Sequence, residues 1–132
     1  MRIVQPEGWP RPRGYANGVV AEGRVLFISG QVAWDEREQF VSDDIVEQVR
    51  QALKNTLTML KAGGAKPEHV ARMTWYLTDK HEYLRRGKEI GAVYREHMGT
   101  HYPSMSMVQV AALMEDRAKV EIETTAVIPD GQ

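Results

Sequence analysis

The chain contains no cysteine, which removes disulfides, thiolate nucleophiles and cysteine-based zinc sites together. That absence fits a reducing compartment. The opening Met1-Arg2-Ile3-Val4-Gln5-Pro6 has no apolar run able to act as a signal peptide. No later stretch is apolar for long enough to cross a bilayer, so the expectation is a cytoplasmic protein with no membrane partner. Excess charge of one sign is missing too. The 17 Lys and Arg against 18 Asp and Glu leave a formal net charge of −1, no electrostatic reason to expect nucleic acid. The basic pairs Arg11/Arg13 and Arg85/Arg86 are not interleaved with aromatics and read as solvated surface. His97 and His101 are four apart, but Gly99 lies between them and no carboxylate completes a metalloprotease pattern, so no metal site is expected. A phosphate-cradling loop is also lacking, because Gly63-Gly64 closes a helix instead of opening one.

What is present is ordinary for a globular domain. With 132 residues, 42% hydrophobic and 27% charged, the chain reads as a single domain over residues 1–132. Residues 1–14, rich in Pro, Gly and Arg, read as an irregular lead-in, and 128–132 as a frayed tail. Residues 16–21 and 24–31 flank Glu22-Gly23, a two-residue turn suited to a hairpin. Val25 to Ile28 are apolar at consecutive positions, which predicts a strand covered on both faces, either central or at a subunit contact. Ser42 reads as an N-cap ahead of Ile45, Val49, Ala52, Leu53, Thr56, Leu57 and Leu60, a helical stripe stopped by Gly63-Gly64. A strand over 70–77, a helix over 82–96 and two closing strands complete the order β-β-α-β-α-β-β. The predicted fold class is α+β, a mixed sheet with two helices on one face.

The closing strands carry the candidate chemistry. Residues 103–110 and 119–123 alternate with period two. Val108 and Val110 share one face with Val120 and Ile122; Met105, Met107 and Gln109 share the other with Glu121 and Glu123. If these strands are neighbours, carboxylates meet a methionine-lined surface, where apolar surroundings suit a group that moves protons near neutrality. That surface is too apolar for water and should be buried by other subunits. A register one residue out would instead place the methionines in the core. Glu121 has two readings: a general acid or base on water, or an ion-pair partner of Lys119 or Arg117 in a neighbouring copy. Ser29 is no elbow nucleophile, since Phe27-Ile28-Ser29-Gly30-Gln31 lacks the preceding glycine; it reads as a turn hydroxyl. Tyr15 reads as an amphipathic boundary residue or a pocket-closing donor.

Several pieces, taken in order, resemble the YjgF/RidA family. They are Gly14-Tyr15, Phe27-Ile28-Ser29-Gly30-Gln31, the Gln48/Ala52/Leu53/Asn55 helix ending in Ala62-Gly63, Thr78-Asp79, Tyr102-Pro103 before Val108, and Val120-Glu121-Ile122-Glu123. The resemblance implies a chorismate-mutase-like fold assembled as a homotrimeric barrel, with pockets between subunits. It implies hydrolysis of reactive enamines and imines to a keto acid and ammonia, with no cofactor and no metal. Glu121 matches the water-activating glutamate, Tyr15 the tyrosine at the pocket mouth, and Ser29 and Gly30 match residues lining it. Deaminating members carry an arginine two residues after the proline, where it grips the substrate carboxylate. Here that residue is Met105, and Met107 stands where a small residue is common. A thioether cannot replace a bidentate cation. Either the small-molecule substrate differs from 2-aminoacrylate, or another cation such as Arg13 or Arg72 reaches in, or the scaffold survives as a non-catalytic ligand-binding or regulatory trimer. Ribonuclease activity, a name some members carry, is disfavoured by the neutral charge.

Overall fold

The computed structural model describes residues 1–131. Six strands and three helices follow in the order β1 (Arg2–Val4), β2 (Gly18–Val20), β3 (Arg24–Gln31), α1 (Ile45–Ala62), β4 (Val70–Leu77), α2 (Lys80–Arg85), α3 (Gly87–Met98), β5 (Ser104–Gln109) and β6 (Val120–Ile128). A 3₁₀ turn, Pro67–His69, leads into β4. The main sheet has the order β3-β6-β4-β5, with only β4 and β5 parallel. Parallel neighbours need a crossover, and α2 with α3 supplies it. This is the expected α+β, mixed-sheet arrangement.

The helices cover one face because the sequence gives them one apolar stripe each. Ile45, Val49, Ala52, Leu53, Thr56 and Leu60 of α1 are buried, as are Ile90, Val93, Tyr94 and Met98 of α3. They meet Val70, Met73, Trp75 and Leu77 of β4 and Val120, Ile122, Ala126 and Ile128 of β6. Gln48 is also fully buried, and its amide is satisfied on both sides. It donates to the carbonyls of Ser42 (2.9 Å) and Arg117 (3.0 Å) and accepts from the Lys119 amide (2.9 Å). Asn55 donates to the carbonyls of Val32 (3.1 Å) and Trp34 (2.8 Å), pinning the segment that follows β3. A buried polar group held this way ties loop to helix, since leaving it unpaired would cost about 1–3 kcal/mol.

Several expectations change. The lead-in is not wholly irregular, because Arg2–Val4 pairs antiparallel with β2 in a separate two-stranded sheet. Glu22-Gly23 therefore joins two sheets and does not close a hairpin. Gly23, at φ +146°, sits where a Cβ would fall 2.0 Å from the Ile128 carbonyl oxygen, so only glycine fits the crossing. β3 is an edge strand, not a central one, and Phe27 is 78% exposed. The N-cap of α1 is Asp44, which accepts from the Glu47 amide at 3.2 Å, while Ser42 Oγ accepts from the Asp44 amide at 3.0 Å. The single helix expected over 82–96 starts earlier and breaks at Arg86, just before Gly87. The tail begins after Ile128, the last residue of β6, and Gln132 lies outside the described residues.

Candidate functional site

Glu121 lies on the sheet face that no helix covers. It is opposite Tyr76 of β4, and the next outward position, Glu123, is opposite Thr74. On the other side of β6, the register with β3 slips between Ile28 and Gln31, a bulge that contains Ser29 and Gly30 and sets Gly30 beside the acid. A Cβ on Gly30 would stand 2.6 Å from Glu121 Oε2 and 2.8 Å from its Cγ. The carboxylate thus lies across the bare backbone of Gly30. Ser29 is exposed, and its carbonyl accepts from the Gln31 side chain at 3.0 Å. Among the described residues Glu121 has no hydrogen bond or ion pair. The cations that the sequence offers as its partners are engaged elsewhere in the same chain: Lys119 with Glu82 (3.1 Å) and Arg117 with Asp43 (2.9 Å).

The methionines are not beside it. β5 pairs with β4 alone, so β4 separates Met105 and Met107 from Glu121 within the sheet. Their register partners are Met73 and Trp75, both buried, so the two methionines face the helices. The sequence pattern gave two faces correctly but matched the wrong pair, and the one-residue alternative is the observed one. Gln109 does something else again: its Oε1 accepts from the Lys80 amide at 2.8 Å and holds the start of α2. Glu121 therefore does not sit on a methionine surface. The uncovered face carries Val25, Phe27 and Val108 as its exposed apolar groups instead.

On the helix side, Met105 and Met107 line a cavity of about 200 Å³ together with Trp75, Tyr83, Tyr94 and Tyr102. The aromatic rings hold one another: Tyr94 stacks on Tyr102 with centroids 5.3 Å apart, and Trp75 contacts Tyr83 and Tyr94 at 6.5 and 6.4 Å. Burial pushes the phenols of Tyr83 and Tyr94 upward from the ordinary value of 10.0, so both stay neutral. Tyr94 donates to the His101 carbonyl at 2.7 Å. Trp75 Nε1 is buried with no acceptor among the described residues, a cost of about 1–3 kcal/mol. Gly14, Ile90, Gly91 and Arg95 complete the lining. Sequence reading missed this aromatic set because its members come from β4, α2, α3 and the approach to β5, with no common period.

Tyr15 is exposed, next to Ala16, whose amide donates to the Pro103 carbonyl at 2.9 Å and so covers the start of β5. It lines a shallow hollow with Tyr102, and Tyr102 also borders the methionine cavity. The six predicted residues therefore form two groups: Ser29, Gly30 and Glu121 on the open face, and Tyr15, Met105 and Met107 around the β5 edge. His97 and His101 engage the backbone carbonyls of Val93 (2.8 Å) and Val70 (2.7 Å). Among the described residues no three His, Asp or Glu side chains converge as metal ligands, and no helix is long and apolar enough to cross a membrane.

Comparison with known proteins agrees with this frame. Residues 10–128 match the family model for endoribonuclease L-PSP. A RutC family protein of Pyrococcus horikoshii is 32% identical over 125 residues, covering 94% of this chain and 95% of that protein. The 2-iminobutanoate/2-iminopropanoate deaminase of Salmonella typhimurium is 33% identical over 127 residues, covering 96% and 97%. Among solved structures, the Rid-family protein YyfB of Yersinia pestis superposes with a TM-score of 0.85 at 30% identity, over 96% of this chain and 98% of that one.

Proposed function

The chain belongs to the endoribonuclease L-PSP family, the YjgF/RidA group, and from that premise we propose that it hydrolyses a small reactive imine or its enamine tautomer. In the reaction, water adds to the C=N carbon and the carbinolamine collapses, so that the C–N bond breaks and a keto acid and ammonia leave. Glu121 passes one proton of the attacking water to the imine nitrogen and then passes the carbinolamine hydroxyl proton to the departing amine. Both water protons thus end on ammonia, and the carboxylate ends the cycle as it began. Gly30 lets the carboxylate reach its position, and the exposed Ser29 precedes it in the chain. One observation carries this reading: an uncommitted carboxylate laid over a glycine bulge on an otherwise uncovered sheet face.

The two groups of predicted residues point away from opposite faces of one sheet, so one protomer cannot close a single pocket around both. A pocket that contains both needs two chains. That argument supports the homotrimer with interfacial pockets, as do the exposed Phe27, Val25 and Val108. Cytoplasmic residence belongs to the same proposal, since a chain without cysteine suits a reducing compartment. The test is direct. Freshly generated 2-aminoacrylate and larger imino acids are mixed with the protein while C=N absorbance is followed. Wild type accelerates the decay, and Glu121→Gln loses about 10²–10⁴-fold in rate with the fold intact. A decay no faster than in buffer, for every imine tried, would remove the proposal. Met105 in place of a carboxylate-gripping arginine favours the second reading, a trimer that binds a small molecule without turning it over; there Glu121→Gln changes nothing.

A further inference from the structure

The substrate's carboxylate still needs a partner in a site that has a methionine at 105. We propose that Arg95 of α3 is that partner, and that the aromatic cavity beside it takes an imino acid with a bulky apolar or aromatic side chain. This rests on the reading that the Met105/Met107 cavity belongs to the substrate site. Of the cations considered from sequence, Arg72 lies on the Glu121 face of the sheet, away from this cavity and paired in register with Thr125, and Arg13 does not line the cavity although its neighbour Gly14 does. Arg95 lines the cavity.

Three observations together point to it. First, Arg95 is exposed and, like several other arginines of the chain, has no ion pair or hydrogen bond among the described residues, so its charge is not committed elsewhere. Second, its Nη1 is 3.3 Å from where a Cβ on Gly91 would be. The side chain folds back toward the helix N-terminus, as helical side chains do, over a position kept bare for it. Third, Arg95 is the one charged side chain among the residues that line the cavity. A guanidinium on a small, otherwise uncharged cavity is matched by a planar anion with two acceptor oxygens, such as a carboxylate. The remaining wall is rings and thioethers, suited to an apolar tail, and adaptable because methionine is. An apolar protein cavity of about 150 Å³ accepts a benzene ring, so one of about 200 Å³ has room for a phenyl or isobutyl group.

The decisive experiment separates binding from turnover. Inert probes, 3-phenylpropionate, its neutral amide and acetate, are titrated calorimetrically into wild type, Arg95→Gln and Arg95→Lys. The expected result is wild-type preference for phenylpropionate over both others by about tenfold or more, lost in Arg95→Gln and partly kept in Arg95→Lys. Equal affinity of Arg95→Gln and wild type for phenylpropionate overturns the proposal, as does a wild type that does not favour the acid over its amide. In parallel, imines produced in situ from phenylalanine, leucine and alanine are assayed. Arg95→Gln should raise KM for the first two about tenfold while kcat stays within about threefold. If imines are hydrolysed and Glu121 is needed but Arg95→Gln is silent, only this inference falls. If no imine is hydrolysed, the deaminase reading falls, and the calorimetric arm still decides whether Arg95 holds a carboxylate.

Discussion

At residue 30 the missing side chain determines where a carboxylate can lie. The backbone of Gly30 is not in the left-handed region, so alanine fits its conformation, but the added Cβ would overlap Glu121 from Cγ to Oε2. What would have to move is the end of a flexible side chain on an uncovered face, so folding should change by less than about 1 kcal/mol. Catalysis should suffer far more, because a reacting group displaced by about 1 Å can lose about 10² in rate. Gly30→Ala is therefore expected to keep its melting temperature within a few degrees while kcat/KM falls about a hundredfold. A large loss of stability with unchanged kcat/KM would show that the glycine serves the bulge and not the acid. The same scale explains what sequence reading could see of the site. Ser29, Gly30 and Glu121 are close in space because two strands pair, and each was marked by its motif. Arg95 carried no motif at all, and only its position over Gly91 and beside the aromatic cavity distinguishes it from the other arginines.

Between elements, the junction of α1 with the broken second helix depends on Asp44. Its carboxylate caps α1 and accepts from Arg86 at 2.8 Å, and Arg86, which also pairs with Glu89, sits at the break between α2 and α3. The Arg86 hydrogen bond holds the Asp44 carboxyl below its ordinary value of 3.8, with the Glu47 amide adding to the effect. A depressed folded-state pKa contributes stability that is complete above the unfolded value and fades as pH falls through the folded one. Stability should therefore be level from pH 7 to about 5 and decline below about 4, a range in which Asp79 and Asp35, also lowered by backbone amides, act in the same direction. The pair is partly exposed to water, which screens it, so most of its worth is the cap, about 1 kcal/mol. Asp44→Ala should lower the midpoint of thermal unfolding by about 3–5 °C at pH 7 and by less at pH 3. An equal drop at both pH values would contradict the assignment. Sequence reading placed this cap two residues early, at Ser42, because Ser, Asp and Asp in succession are all competent caps and only the path of the chain chooses among them.

For the whole molecule the open question is what covers the second face of the sheet. Helices shield one side; the other, which also carries Glu121, presents Val25, Phe27 and Val108 to solvent. If three copies pool these faces, light scattering should report three chains of 15.0 kDa, about 45 kDa together. Phe27→Glu should shift the mass toward one chain, because a charge at that contact loses its water without gaining a partner. Activity should fall with it, since both groups of site residues are then never in one pocket. A wild type that runs as 15.0 kDa would sink the interfacial site.

Local pattern was enough to identify β4, the α1 stripe and the two-faced character of β5 and β6. It also sufficed for family membership, because motif order and spacing are properties of the chain itself. It could not say which strands are neighbours, since pairing joins residues far apart in sequence, and β4 inserts between β5 and β6 although it precedes both. Nor could it say which of two alternating faces meets the helices. Period two defines the faces equally well in either register, and only packing against α1 and α3 decided that Met105 and Met107 turn inward while Glu121 turns out. The cavity and the arginine that lines it exist only once four distant segments have been brought together, so tertiary structure alone could reveal them.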